Sequence, residues 1–290
     1  MARPPRIEFP GAVYHVSSRC EPGTLAFADD QDRAALIELM AQSMQRFDAQ
    51  LLAYSILGDQ YEILVFTRRA NLSRLMRHLG GVYTQHHNRR HGSQGALFQG
   101  RFKAVLVDRE RHLLDACRYV DLAAGRLGLS KSPAQWPWSS GPAHTGLVAT
   151  PAWLESDGLW RYVLGRELQG AVDRRRAMAR YAQLLAEEPG FDLWAGRLRQ
   201  QIFLGDEAFA RAALAQAAQA QRAAKPARAG KAQRAPSMQS WLLESESREQ
   251  ALYRAHTEGG LAMSAMARAL DLSVSRVSRI VAAYERKLSA

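Results

Sequence analysis

The chain has 290 residues, of which 47% are hydrophobic and 23% are charged, so it is long enough to fold around one or two hydrophobic cores. Two cysteines are too few for a disulfide framework, and the absence of a long apolar run or a signal-peptide pattern predicts a cytoplasmic protein with no membrane partner. The formal net charge of +11 indicates a polyanionic partner, for which nucleic acid is the default.

Strand and helix patterns alternate over the first 150 residues. The strand patterns are GAVYHVSSR (11–19), the two halves of LLAYSILGDQYEILVFT (51–67) and FQGRFKAVLV (98–107). The helical patterns are 29–47, 71–90 and 111–126. Gly58 and Asp59 join two strands, and both residue types tolerate the positive φ of a two-residue hairpin turn. The order βαββαβα predicts an α+β domain over residues 1–150.

The remainder of the chain is predicted to be helical. Residues 151–212 carry tryptophans and phenylalanines, Trp194 among them, within helical patterns, which predicts an all-α extension with an aromatic core. Residues 213–238 are rich in alanine and basic residues and include prolines, so they are predicted to form a linker. Residues 239–290 are predicted to form a separate helical domain.

The end of the chain has the pattern of a helix-turn-helix, with a turn at Asp271–Ser273. The apolar residues at helical spacing in the first helix are Met263, Met266, Ala267 and Leu270. Those of the second helix, predicted to face inward, are Val274, Val277, Ile280 and Val281. The residues predicted to enter the major groove are Ser273, Ser275, Arg276, Ser278 and Arg279. Small hydroxyl side chains let a helix approach DNA closely, and arginine can read guanine. The alternative is an ordinary helical hairpin with a solvated polar face.

Several stretches resemble REP-associated tyrosine transposases, which belong to the HUH-type enzymes that cut single-stranded DNA beside hairpins. The stretches are ARPPRIEFPGAVYHVSSR, NLSRLMRHLGGVYTQHHNRRHG, ALFQGRFKAVLV, and RYVDLAAGRLGL followed by WPWSS. LRQQIFLGDEAF (198–209) and the helix-turn-helix resemble the longer members of the family. The resemblance implies a ferredoxin-like fold for the first domain and hairpin or single-stranded DNA as its partner. The helix-turn-helix predicts duplex DNA as a further partner, so we expect a nucleoid-associated protein.

The resemblance also implies an active site in which a His-hydrophobic-His pair holds a divalent cation and a tyrosine forms a covalent link to DNA. The matching tyrosine is Tyr119, but Gln60 and Glu62 stand where the family has its histidines. Ala123 and Ala124 replace the Asn-Pro that usually follows the tyrosine. These departures predict a degenerate site that needs no cofactor, with Tyr119 left as a structural helix residue.

The opposite interpretation stays open. Gln60 and Glu62 are two apart on a predicted strand, so they share one face. An amide oxygen and a carboxylate are acceptable ligands for Mg²⁺, which prefers oxygen. The alternative function is therefore an active magnesium-dependent transposase with Tyr119 as its nucleophile.

Basic residues cluster on the helix 71–90 and in the segment after it. The residues predicted to contact phosphates are Arg74, Arg77, His87, Arg89, Arg90, Arg101 and Lys103. Phe98 and Phe102 lie close by in the sequence and could stack on unpaired bases. A solvated basic face is the alternative for this surface. A further hypothesis is a transcription regulator whose first domain only forms a homodimer.

Overall fold

The computed structural model describes residues 6–21, 23–132, 136–187, 193–194, 197–224, 237–257 and 259–288. The chain divides into two compact units, the first unit Met1–Ala224 and the second unit Lys225–Ala290. Among the described residues, no helix combines the length and hydropathy that crossing a membrane requires.

The first unit begins with alternating strands and helices. Its first seven elements are β1 (Ala12–Arg19), α1 (Asp30–Arg46), β2 (Ala49–Ile56), β3 (Gln60–Thr67), α2 (Leu72–His91), β4 (Lys103–Val107) and α3 (Arg109–Asp121). The predicted α+β class is confirmed. Helix α1 starts where the sequence predicts because the side chain of Asp29 accepts a hydrogen bond from the backbone N–H of Asp32.

The rest of the first unit is not all-helical, contrary to the prediction for residues 151–212. Its elements are α4 (Ala123–Arg126), α5 (Gly141–His144), α6 (Asp157–Leu164), α7 (Ala171–Glu187), β5 (Leu198–Arg199), β6 (Phe203–Leu204) and α8 (Glu207–Ala224). Strands β5 and β6 are each two residues long, too short to give an alternating pattern in the sequence. Helix α8 also extends past residue 213, where the linker was predicted to begin, because alanine strongly favours helix. Residues 225–236 lie outside the described residues.

The strands form one six-stranded sheet in the order β2-β3-β1-β4-β6-β5. Strand β1 lies between β3 and β4 and is antiparallel to both, whereas β4 and β6 are parallel. In this register Ser17 is opposite Glu62 on one side and Lys103 on the other. Directly paired residues project from the same face of a sheet, so these three side chains share a face.

The predicted hairpin between β2 and β3 is present. The N–H of Leu57 donates to the carbonyl of Gln60 at 2.8 Å, so Gly58 and Asp59 form the turn. Neither Gly58 nor Asp59 has a positive φ, so the turn forms without the left-handed conformation on which the prediction was based. The hairpin fixes the start of β3, which carries Gln60 and Glu62.

Each face of the sheet has its own hydrophobic core. On one face the strands pack with α1 and α2, through residues such as Leu36, Leu75 and Tyr83. On the other face they pack with α3 and α7, through Leu113, Cys117 and similar residues. Helix α3, which carries Tyr119, is therefore on the opposite side of the sheet from the basic helix α2.

A buried polar network anchors the end of α3. The carboxylate of Asp121 accepts hydrogen bonds from His144 Nδ1 and from the Tyr181 hydroxyl, each at 2.7 Å, and from the Ser140 hydroxyl. All four residues are fully buried. Because buried polar groups without partners are costly, this network ties α3 to α5 and α7 and holds Tyr119 in place.

The second unit is a small helical unit with its own core. Its helices are α9 (Met238–Leu243), α10 (Arg248–Thr257), α11 (Met263–Leu270) and α12 (Val274–Leu288). Trp241, Leu252, Met266 and Val277 are buried in the core. The prediction that Val274 faces inward is wrong: the residue is 49% exposed, because it begins α12 before the helix reaches the core.

Candidate functional site

Glu62 lies in the interior at the site predicted from the sequence. Gln60 and Glu62 are on the same face of β3, and their partners in β1 are Arg19 and Ser17. Only 7% of Glu62 is exposed, whereas Gln60 is partly exposed. His15 projects from the same face of β1 and is 6% exposed, so a carboxylate and an imidazole are buried side by side.

The carboxylate of Glu62 has two cationic or hydrogen-bonding partners. Its Oε2 atom is 3.3 Å from Nε2 of His15 and 3.3 Å from Nη2 of Arg126. Burial alone would raise the pKa of Glu62, but the hydrogen bond with His15 and the charge of Arg126 outweigh it and lower that pKa. Glu62 is therefore held as a carboxylate whose negative charge is already balanced.

Arg126 also covers Tyr119. Its guanidinium carbon is 3.5 Å from the centre of the Tyr119 ring, and Nη1 donates to the Tyr119 carbonyl. The contact arises because helical turns continue through α4 directly after α3, so the residue seven positions after Tyr119 returns to the same face. Ala123 and Ala124 are fully buried against Leu57 in this segment. Their small side chains allow the helical continuation to pack closely there.

Trp194 completes this group, which we call the Tyr119 cluster: His15, Glu62, Tyr119, Arg126 and Trp194. The ring centre of Trp194 is 5.0 Å from that of Tyr119 and 5.1 Å from that of His15, both in edge-to-face arrangements. The sequence suggested only a core role for Trp194, and it gave no signal for Arg126. Both residues are far from β3 in the sequence and meet it only in the folded chain.

The Tyr119 cluster does not fit a divalent cation. The donors available are the Gln60 amide, the Glu62 carboxylate and the His15 imidazole, but the imidazole and the guanidinium of Arg126 already bind that carboxylate, each at 3.3 Å. A cation at Glu62 would be adjacent to this fixed positive charge, which repels it. The predicted magnesium alternative is therefore not favoured by the donor set.

Another group of potential metal ligands occurs where α1 and α2 meet. Asp32, His87 and His91 have ligand atoms within 4.8 Å of one another. However, the Asp32 carboxylate is bonded to Arg90 Nη1 at 2.5 Å and to His91 Nε2 at 3.0 Å. The pKa of Asp32 is lowered because these hydrogen bonds outweigh the opposing effect of burial. Its charge is thus satisfied by the protein itself.

The predicted phosphate-contacting residues of α2 are separated by the structure into two groups. Arg74, Arg77 and Arg89 are exposed. His87 is only 6% exposed and lies against the carbonyl of Leu25, which contradicts its predicted contact with a phosphate. Arg90 is bonded to Asp29 and Asp32, so its charge stabilises the junction with α1.

Arg101 and Lys103 are both exposed but do not belong to one surface. Lys103 pairs with Ser17 and so projects from the face of the sheet that carries Glu62. Phe102 precedes it and contacts Arg6 on the α2 side, where Arg101 also lies. Lys103 therefore does not share a surface with Phe98 and Phe102, although all three are close in the sequence, because successive strand residues alternate between faces.

The second unit exposes its predicted DNA-contacting residues. These are Ser273, Ser275, Arg276, Ser278 and Arg279. Ser273 directly precedes α12 and the others lie in its first two turns, after a turn in which Asp271 has a left-handed backbone with φ 50°. The hydroxyl of Ser273 accepts from the N–H of Arg276 at 3.2 Å and so caps the start of α12.

The comparisons with known proteins give only distant structural similarity. No family model matches the chain, and no curated protein matches it. Among solved structures, the chain is similar to a REP-associated tyrosine transposase bound to a REP hairpin, with 12% sequence identity over 55% of this chain and 93% of that chain, at a TM-score of 0.44. A likeness this distant carries no functional argument, so function is argued from the residues of this chain.

Proposed function

We propose that this protein binds DNA and does not cleave it. The first unit, with the ferredoxin-like order expected of the transposase family, binds a hairpin or a single strand. The second unit binds duplex DNA as a helix-turn-helix. The sequence resemblance and the net charge of +11 support the DNA-binding part of this proposal.

The observation that carries the loss of cleavage is the position of Arg126. Its guanidinium lies against the Tyr119 ring and bonds Glu62, within the cluster where a metal-dependent enzyme needs its cation. A tyrosine phenol has a pKa near 10 and is a weak nucleophile unless a metal or a base activates it. A single arginine provides positive charge, but unlike a metal ion it has no open coordination position that could bind a phosphate oxygen.

Exposed arginine and hydroxyl side chains support binding to DNA. In the first unit the predicted phosphate-contacting residues that are exposed are Arg74, Arg77, Arg89, Arg101 and Lys103. In the second unit the exposed start of α12 provides the base- and phosphate-contacting residues. Binding through several phosphates would make the affinity fall steeply as salt rises.

The decisive experiment incubates the purified protein with labelled hairpin-bearing single-stranded DNA, with Mg²⁺, with Mn²⁺ and with EDTA. We expect a salt-sensitive shift on native gels under all three conditions and no covalent adduct after denaturation. The Tyr119→Phe variant is the matched control, because it removes the nucleophile and keeps the ring. A metal-dependent adduct that disappears in this variant would instead establish an active transposase.

A further inference from the structure

A cleft of about 520 Å³ runs along one face of α2. The α2 residues that line it recur at three- and four-residue spacing from Ser73 to Gln85, and the segment 96–102 forms the opposite wall. Ser18 and Tyr61 line its base, so the cleft is on the face of the sheet opposite Glu62 and the Tyr119 cluster. Its volume is within the range of small-ligand sites, about 300–1,000 Å³.

The charge of the cleft favours an anion. Arg6, Arg77 and Arg101 line it, and no aspartate or glutamate is among the described residues that do. Glu8 is close by, but its carboxylate is bonded to the backbone N–H of Ser73 at 2.9 Å. The pKa of Arg6 is lowered by burial first and by the charge of Arg101 second, so these guanidinium groups repel each other. An anionic ligand would relieve this repulsion.

Two glycines in the middle of α2 form an open part of the cleft. Glycine is the least favourable residue inside a helix after proline, so Gly80 and Gly81 weaken α2. A Cβ atom added at either position would meet no protein atom within 4 Å. Packing within the protein therefore does not require glycine here. Both residues line the cleft, where a missing side chain leaves room for a ligand to approach the helix.

An aromatic ring is fixed beside this open space. Phe98 is half-buried and packs edge-to-face on Tyr61, with ring centres 5.5 Å apart. On the same wall, Phe102 is covered by the guanidinium of Arg6, whose central carbon is 3.6 Å from the ring centre. Rings held in this way suit stacking on a base, which is the usual way that proteins hold unpaired nucleotides.

We infer that this cleft holds one unpaired nucleotide of a DNA single strand, with its phosphate on Arg77 and Arg101 and its base beside Phe98, over Gly80 and Gly81. The inference rests on the proposed DNA-binding function and adds a location to it. The single strand would cross the α2 face of the first unit, on the other side of the sheet from Tyr119. An unpaired nucleotide combines the negative charge and the flat ring that this cleft accommodates.

The test compares two variants of the full chain that introduce the same side chain at neighbouring positions. Gly81→Gln fills the cleft, whereas Val82→Gln changes a residue that is 39% exposed and does not line it. We expect Gly81→Gln to weaken binding of a short fluorescent single-stranded DNA by about tenfold, which corresponds to about 1.4 kcal/mol. Val82→Gln should leave this affinity within about twofold, on the order of 0.4 kcal/mol.

Stability and duplex binding separate a blocked cleft from a damaged fold. Glutamine is a better helix former than glycine, so Gly81→Gln should keep the melting temperature or raise it by about 2–4 °C. Its binding of a duplex probe through the second unit should be unchanged. If wild type binds the single strand and Gly81→Gln binds it equally well, the cleft inference is wrong and the proposed function stands. If wild type binds no single-stranded DNA, the proposed single-strand function itself fails.

Discussion

At the scale of single residues, the candidate site depends on one arginine. Glu62 is buried near the start of β3, and a buried carboxylate is costly without partners. Arg126 supplies a partner from a sequence position 64 residues away, with His15 as the second. The same guanidinium covers the ring of Tyr119. Glu62, which the sequence offered as a metal ligand, is thus already part of an ion pair within the protein.

Replacing Arg126 by methionine should destabilise the first unit. The change keeps a long side chain but leaves the Glu62 carboxylate with His15 alone, so we expect a loss of about 1–3 kcal/mol in the free energy of unfolding near neutral pH. Urea denaturation measures this loss. Arg161→Met is the matched control, because Arg161 pairs with the exposed Glu167 and such pairs contribute about 0–1 kcal/mol. Equal losses in the two variants would contradict a special role for Arg126.

The stabilisation that Arg126 provides depends on pH. The pKa of folded Glu62 is lowered from its ordinary value of 4.5, so its ion pairing stabilises the folded state above about pH 4.5. This contribution is lost as the pH falls through the lowered pKa of the folded state. The difference in unfolding free energy between wild type and Arg126→Met should therefore shrink in acid. A constant difference from neutral to strongly acidic pH would contradict the pairing of Arg126 with an ionised Glu62.

At the scale of elements, α11, the turn and α12 form the part of the second unit that fits the DNA-binding hypothesis. Asp271 ends α11 in a left-handed conformation, and Ser273 caps the start of α12. Val277 and Val281 anchor one face of α12 in the core, which leaves the opposite face exposed at its first two turns. The amphipathic pattern therefore presents a polar helix start to solvent.

Replacing Arg276 or Arg279 by alanine should weaken duplex binding. Each arginine that contacts a base bidentately contributes about 1–3 kcal/mol, and each one that contacts a phosphate contributes about one unit to the slope of affinity against salt. Fluorescence anisotropy over a salt series separates these effects. Arg248→Ala is the control, since Arg248 is exposed on α10 of the same unit. A loss for Arg248→Ala as large as for the α12 variants would indicate attraction by overall charge only.

At the scale of the whole molecule, two units with separate cores lie in one chain. The outer edge of β2 is covered by the chain itself: the N–H of Ile56 donates to Trp138, and the N–H of Glu155 donates to Leu51, at 2.9 and 2.8 Å. A homodimer formed by pairing two β2 edges would have to displace these contacts. The predicted homodimer, if it forms, needs another surface.

Deleting residues 225–290 should separate the activities of the two units. We expect the shortened protein to retain binding of hairpin-bearing single-stranded DNA and to lose binding of a plain duplex. A probe with both features should bind the full chain more tightly than either unit, because linkage raises the effective concentration of the second contact. Complete loss of DNA binding on deletion would favour the regulator hypothesis, in which the first unit has no DNA contacts. Gel shifts with the three probes measure these outcomes.

Much of the fold followed from local patterns in the sequence. Strand and helix periodicity, the acidic start of α1 and the Gly58-Asp59 turn depend on neighbouring residues, so they can be predicted without the tertiary structure. Strands β5 and β6 could not be predicted in this way, because such short strands form only by pairing, β6 with β4 and β5 with β6. Val274 was misassigned because periodicity does not show where a helix first reaches its core.

The sequence by itself determined the positive charge of the chain and the presence of Gln60, Glu62 and Tyr119 at their positions. Only the tertiary structure decided that Arg126 balances Glu62, that His87 is buried, and that the cleft along α2 is open. The physical reason is that charge and residue type are properties of the chain, whereas burial, ion pairing and cavities depend on which distant segments fold against one another.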